Sequence, residues 1–324
     1  MRSRPLLGRL RLVLASLAVV SVAGCAVGPN YARPPLEEPA LFKSGGTGEP
    51  APPIMTDWWR LYSDSELDQL IASAHASNQT LQQAVARVDQ ARALARVAGS
   101  FLYPTISADP SYSRTRYSGN RRSTITGQKV QSGRTLNDWR IPFDLTYEID
   151  VWGRVRRSFE SARAQAAASA DDLGVVRLTV ETDVAQFYYG LRSLDAQLQI
   201  LTDNVAAYRE QVRLLSVQLK TGLVSPIVLN QAQAQLQATL AQQRDVERAR
   251  ADLEHALAIL CGRPAPSFAV GANPLHEASP PAVPPGFPAQ LLARRPDVAE
   301  AEQNVVAANA QIGVATAEFF RASC

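Results

Sequence analysis

The 324-residue chain carries a net charge of only +3, with 46% hydrophobic residues and 7% aromatics, a mixture suited to helices packed through small side chains rather than to a large globular core. So small a charge, with no basic block interleaved with aromatics, gives no reason to expect nucleic acid as a partner. The cysteines (Cys25, Cys261, Cys324) and histidines (His75, His255, His276) are scattered, and no phosphate loop, nucleophile elbow or metalloprotease helix is present, so neither an enzyme nor a metal or other cofactor is expected.

Residues 1–24 read as a signal peptide: Arg2, Arg4, Arg9 and Arg11 precede an apolar run from Leu12 to Ala23 that is too short to span a bilayer. The run ends Val22-Ala23-Gly24-Cys25, which resembles the lipobox of bacterial lipoproteins. That resemblance implies lipidation of Cys25, and Ala26 in place of an aspartate implies sorting to the outer membrane. Several acyl chains together would hold the chain stably. Residues 25–56, rich in Pro, Gly and Glu, read as an extended tether.

A first repeat is expected over 57–262. Ser63-Asp64-Ser65-Glu66 matches a capping box. A seam of Leu67, Leu70, Ala74, Ser77, Leu81, Ala84, Val88, Ala91, Ala95, Ala98 and Leu102 then predicts one helix, stopped by Pro104. Strands are expected at about 104–117 and 138–151, joined by a polar loop. In the second, Trp139, Ile141, Phe143, Leu145, Tyr147 and Ile149 alternate with mostly polar residues, the pattern of a strand with one apolar face. Two strands cannot satisfy their edge groups in lipid, so a membrane location requires closure by further strands.

A long helix is predicted over about 154–221. Phe187, Leu191, Leu194, Leu198, Leu201, Val205, Tyr208, Val212, Leu215 and Leu219 follow one another at alternating four- and three-residue steps, a heptad seam. Gly222-Leu223-Val224-Ser225 reads as a reversal, with Ser225 as N-cap and Pro226 as the first residue of a helix over about 226–260. A Pro-rich linker, 263–287, follows. In 288–324, Val298, Ala301, Val305, Ala308, Ile312, Ala315 and Phe319 repeat the first helix at a fixed displacement from Leu81, which predicts the opening helix of a second repeat.

With these elements in place the chain resembles the TolC-like outer-membrane efflux factor family, in its lipoprotein branch (OprM/NodT type). The resemblance rests on Cys25 with Val27-Gly28-Pro29-Asn30-Tyr31, Trp58-Trp59, Tyr147-Glu148-Ile149-Asp150-Val151-Trp152-Gly153-Arg154, Thr221-Gly222-Leu223-Val224-Ser225, and Arg294-Arg295-Pro296-Asp297-Val298 with Ala301-Glu302. It implies a mainly α fold: long antiparallel coiled-coil helices of the α-barrel type with a two-stranded β-barrel hairpin inserted. It also implies a homotrimer in the outer membrane, its helices extending into the periplasm, that conducts drugs or other small molecules passively. The implied partners are a periplasmic adaptor and an inner-membrane pump of the resistance–nodulation–division type. Gly222, Leu223, Val224 and Ser225 would form the tip met by the adaptor, and Trp139 to Ile149 the lipid-facing stripe.

The resemblance departs at Arg321-Ala322-Ser323-Cys324, where the family carries a proline opening a second hairpin. A truncated second repeat, unable to close a barrel alone, is the expectation there. Two other readings stay open at this point: the outer-membrane component of a type I-like protein secretion system, and a lipid-anchored periplasmic coiled-coil rod.

Overall fold

A computed structural model describes residues 26–35, 57–118, 135–275, 292 and 294–321. The signal segment, Cys25, most of the tether, the centre of the inter-strand loop, linker residues 276–287 and residues 322–324 lie outside them. The chain is mainly helical: α1 (Ser65–Ser77), α2 (Gln79–Ser100), α3 (Arg154–Lys220), α4 (Pro226–Leu260) and α5 (Pro296–Arg321), with short strands β1 (Thr105–Ala108), β2 (Ser111–Arg116), β3 (Thr135–Arg140) and β4 (Phe143–Thr146) between α2 and α3. Two compact units result. One comprises Met1–Ala32, Arg92–Gln165 and Val305–Cys324; the other comprises Arg33–Ala91 and Ala166–Asn304.

The 67 residues of α3 span about 100 Å at ~1.5 Å per residue. Every position of its predicted seam, Phe187 to Leu219, is buried or half-buried. Its partner is α4. Arg250 Nε donates to Asp195 at 2.6 Å, Gln243 donates to Thr202 at 3.1 Å, and Leu253 lies against Gly190. Each pair sits at nearly equal chain distance from Gly222, so the two helices are antiparallel arms of one hairpin.

The core of the second unit gathers Trp59, Leu67, Ile71, Val184, Tyr188, Leu191, Leu257, Cys261 and Phe268. Burying each large apolar side chain contributes about 1.5–3 kcal/mol. Its polar lock is Arg192, which is 2% exposed. Its guanidinium donates to Glu66 (2.6 Å), Asp195 (3.0 Å) and the Gly271 carbonyl. The Asp195 carboxylate also accepts from the Asn273 backbone N–H at 3.0 Å, so segment 270–275 is fastened to α3 by charge-assisted bonds.

Two expectations for the first helix are corrected. The N-cap is Asp64, whose Oδ1 accepts from the N–H groups of Glu66 and Leu67 at 3.0 and 3.2 Å. Ser63 is left-handed at φ 52, and Glu66 pairs with Arg192 instead of closing a capping box. The helix is also divided at Asn78, whose extended backbone ends α1. Its side chain accepts from Leu81 N–H and donates to the Leu260 carbonyl. One buried amide therefore restarts the helix and fastens it to α4.

The second-repeat helix is corrected as well. On α5 the expected seam residues Ala301, Val305, Ala308, Ile312, Ala315 and Phe319 are exposed, and only Val298 is half-buried. The buried stripe is Ala307, Ala310, Gly313 and Ala317. The reason is closeness: a Cβ at Gly313 would lie 2.8 Å from Arg157 Cγ. Only the small-residue face permits that approach to α3.

Candidate functional site

β1 pairs with β4 and β2 with β3, both antiparallel. Their registers are continuous, Ala108 facing Phe143 and Ser111 facing Arg140, so the four strands form one hairpin interrupted once. The interruption places Asp109 and Pro110 against Ile141 and Pro142. Neither proline has an N–H for the ladder, and a single weak bond from Asp109 N–H to the Pro142 carbonyl (3.4 Å) bridges the gap.

The strand bounds differ from those expected, 104–117 and 138–151. Pairing begins earlier, at Thr135 with Arg116, because backbone bonds do not require an apolar side chain. It ends at Thr146, opposite Thr105, because the next partner in register is Pro104. Tyr147 and Ile149 therefore continue beyond the ladder.

Directly opposed residues share a face. One face carries Ile106 with Leu145, Ala108 with Phe143, and Tyr112 with Trp139. The other carries Ser107 with Asp144, Ser113 with Asp138, and Ser111 with Arg140. The sequence-predicted stripe is fully outward in the single chain: Trp139 is 75% exposed, Ile141 64%, Phe143 73%, Leu145 66%, Tyr147 50% and Ile149 75%. Aromatics bound it at both ends. The Tyr112 and Trp139 rings lie 4.5 Å apart near the loop. At the foot, Phe101 and Tyr103 are exposed and Trp152 stacks on Phe320 at 4.9 Å.

Sequence reasoning missed a strap at this foot. The Arg157 side chain, 5% exposed, donates to the carbonyls of Val27 and Gly28 and to Asn30 Oδ1 (3.3, 3.2 and 2.7 Å). Asn309 donates to the Pro29 carbonyl at 2.9 Å. Val27 N–H donates to the Trp152 carbonyl at 3.1 Å, and Ala26 abuts Gly153. The Val27–Asn30 motif is thus a docking strip that ends beside the strand exit; Cys25 itself lies outside the described residues. Glu148 and Arg154 lock that exit through a two-pronged pair at 2.9 and 2.7 Å, which raises the Arg154 pKa.

At the other candidate site, Gly222 (φ +75) takes the left-handed position that a side chain would strain. Leu223 N–H donates to the Gln218 carbonyl and Gly222 N–H to the Leu219 carbonyl (2.9 and 3.0 Å), the paired bonds of a Schellman end. Ser225 then caps α4 by accepting from Ile227 N–H, with Pro226 following. Leu223 is 75% exposed, Val224 half-buried and Ser225 exposed. Ile227, at 65% exposed, belongs with them; its position one residue after Pro226 could have flagged it.

The family model for Outer membrane efflux protein matches residues 70–263. The chain is 28% identical over 315 residues to the cation efflux system protein CusC of Escherichia coli K12, covering 95% of this chain and 66% of that one. It is 30% identical over 312 residues to the toluene efflux pump outer membrane protein TtgF of Pseudomonas putida, covering 93% and 63%. The solved outer-membrane channel OprN superposes with a TM-score of 0.77 at 26% identity, over 90% of this chain and 64% of that one. The chain thus spans just under two thirds of these relatives' lengths. Its helices and strands match theirs, and its location is theirs: the outer membrane, with helices extending into the periplasm. On the match through α1 to α4, with the solved-structure likeness across the rest, this chain belongs to the outer membrane efflux protein family.

Proposed function

We propose that the chain is one subunit of a passive export duct for drugs or other small molecules, acting without a catalytic step. The observation that carries this reading is the hairpin's outward apolar face, bounded by aromatics at both ends. At about 3.3 Å per residue, the stretch from Tyr103 to Tyr112 covers roughly 30 Å. Tilted by about 40°, it would be roughly 23 Å tall, close to the apolar band of an outer-membrane barrel. A rod in the periplasm has no use for such a face, and a hairpin alone leaves its edges open. Further copies of the chain, as a homotrimer, are the proposed source of closure.

The polar face, with Ser107, Ser111, Ser113, Asp138, Arg140 and Asp144, would then line the lumen. Lipidation of Cys25 fits the strap, since Arg157 holds residues 27–30 beside the strand exit, and an acyl chain carried two residues before Val27 would meet the membrane there. The exposed Leu223 and Ile227 support Gly222–Ser225 as the end that meets a periplasmic adaptor, itself joined to an inner-membrane pump of the resistance–nodulation–division type. One relative is named for cations and another for toluene, so the family scaffold does not itself fix the cargo.

The test is a pair of cysteines introduced one at a time on opposite faces of the hairpin, in chain that carries Cys261→Ala and Cys324→Ser and is embedded in native outer membranes. Phe143→Cys is expected to react with a membrane-partitioning maleimide and resist a charged one, and Asp144→Cys to show the reverse. Equal reaction of both with the charged reagent would overturn the lipid-facing assignment. Cys25→Ser is expected to abolish incorporation of labelled fatty acid, and label persisting on the variant would overturn the anchor.

A further inference from the structure

Beyond the aromatic pair the apolar face of the hairpin changes character. Arg114 faces Asn137 and Arg116 faces Thr135 across the ladder, and the alternation of β2 puts both arginines on the same face as Tyr112 and Trp139. Both are exposed, and neither enters an ion pair among the described residues. The one ion pair between the strands' own described residues, Arg140 with Asp138 at 3.8 Å, lies on the opposite face. Tyr112 donates its hydroxyl to Asn137 Oδ1 at 3.2 Å, so that ring points its polar end towards the arginines. From foot to loop the face therefore runs apolar, aromatic, then cationic. No acidic residue occurs between Asp109 and Asp138 to neutralise the cationic end.

We infer that Arg114 and Arg116, with Tyr112 and Trp139 beneath them, form a binding site for the phosphate groups of an outer-leaflet glycolipid. This rests on the lipid-facing reading of the stripe and adds a ligand to it. The order of side chains is that of a membrane interface: hydrocarbon, then amphipathic rings at headgroup level, then charge. A guanidinium is a planar fork matched to phosphate oxygens, and two of them on one strand face, at i and i+2, stand about 7 Å apart. The leaflet follows from connectivity: the foot of the hairpin joins α2 and α3, so the arginines lie at its far end, away from the periplasmic helices.

The experiment uses the full chain purified from outer membranes and reconstituted in nanodiscs. Native mass spectrometry would count retained lipid during titration with a bisphosphorylated glycolipid, its dephosphorylated form, or phosphatidylglycerol. Wild-type chain is expected to prefer the bisphosphorylated form. Arg114→Gln/Arg116→Gln is expected to bind it about thirtyfold more weakly, from the usual contribution of two interfacial cations, and Arg114→Lys/Arg116→Lys to fall between that variant and wild type, since an ammonium keeps the charge but lacks the fork. Equal binding by wild type and the Gln variant, or no dependence on the phosphates, overturns the site. Phosphatidylglycerol binding as tightly as the glycolipid overturns the choice of leaflet.

Quenching of Trp139 by brominated acyl chains, taken as the difference from Trp139→Phe, separates the two levels. Quenching that persists while binding ignores the phosphates removes the arginine site alone. Absent quenching removes both the site and the lipid-facing stripe.

Discussion

The seam of α3 and the stripe of the hairpin are equally regular in sequence, yet the chain treats them in opposite ways. Leu191 is 0% exposed, in one cluster with Leu67 and Ile71 of α1 and Leu257 of α4, whereas Phe143 and Ile149 are 73% and 75% exposed. Periodicity fixes which face of an element is apolar; it carries no information on what covers that face. Helix α5 falls between the two. Its stripe of Ala307, Ala310, Gly313 and Ala317 is covered while Val305, Ile312 and Phe319, at 54%, 53% and 77%, are not. An apolar face left open by its own chain needs an occupant, and for the hairpin the proposed occupant is lipid.

The strongest way to break this comparison is to place the same charge on both faces. Leu191→Asp puts a carboxylate among Tyr188, Val184 and Leu257, and a loss of more than about 4 kcal/mol is expected. Phe143→Asp should shift the melt of the helices by less than about 0.5 kcal/mol and, made together with Cys25→Ser so that no acyl anchor holds the chain, should lower its recovery in the membrane fraction below that of Cys25→Ser alone. Circular dichroism melts in detergent and membrane flotation read the two effects. If Phe143→Asp melts the helices as severely as Leu191→Asp does, the stripe is a core and the contrast fails.

Next in size is Gly313→Leu. Its side chain would have to occupy the space of the Arg157 stem, so α5 must move away from α3 and the strap on residues 27–30 must loosen. Overpacking of this kind costs about 1–3 kcal/mol. Amide exchange within Val305–Phe320 should accelerate while the Leu191 region keeps its protection. Unchanged exchange in α5 would show that the close approach contributes nothing.

What was legible in the sequence was local. The seam of α3 follows from spacing, and the Gly222 turn with the Ser225 cap follows from residue chemistry, because in each case neighbours in the chain are neighbours in space. What stayed hidden depends on partners far along the chain. Asn78 looks like one more polar helix residue until the Leu260 carbonyl supplies its acceptor. Arg192 and Asp195 read as ordinary helical charges until Glu66 and segment 270–275 close around them. The buried face of α5 was misassigned because Ala occurs on several of its faces, and Arg157 selects the face carrying Gly313. At the candidate site, the stripe from Trp139 to Ile149 was visible by alternation. Arg114 and Arg116 were not, because their face depends on cross-strand register.

Alkali sharpens the comparison from the covered side. Burial, followed by the bond to Asp64, pushes the Tyr188 phenol well above its usual value. Burial, followed by the charge of Asp64, pushes Tyr189 up to about 12. A raised acid pKa means that the folded state favours the neutral phenol, while the unfolded chain releases its proton near the ordinary value of 10.0. This contribution is therefore complete below about pH 10 and is lost as pH rises towards about 12. The melting temperature should be level up to that point and fall above it, and Tyr189→Phe should flatten part of the fall. A wild-type melt that stays level to pH 12 would contradict burial of the pair.

The smallest expected effect tests α5 most finely. Ala308→Glu and Ala310→Glu introduce the same side chain two residues apart, on the exposed and the 0%-exposed side of one helix. Ala308 belongs to the seam expected from the repeat; Ala310 belongs to the stripe that is actually covered. If the covered face is the small-residue one, Ala308→Glu should stay within about 0.5 kcal/mol of wild type. Ala310→Glu should cost several times more, because its carboxylate has no room and no partner. The reverse order would restore the repeat-derived seam. Equal, small costs would mean that α5 is not packed against α3 on either face, and the Gln311 to Ser161 bond at 2.8 Å would then be broken in solution.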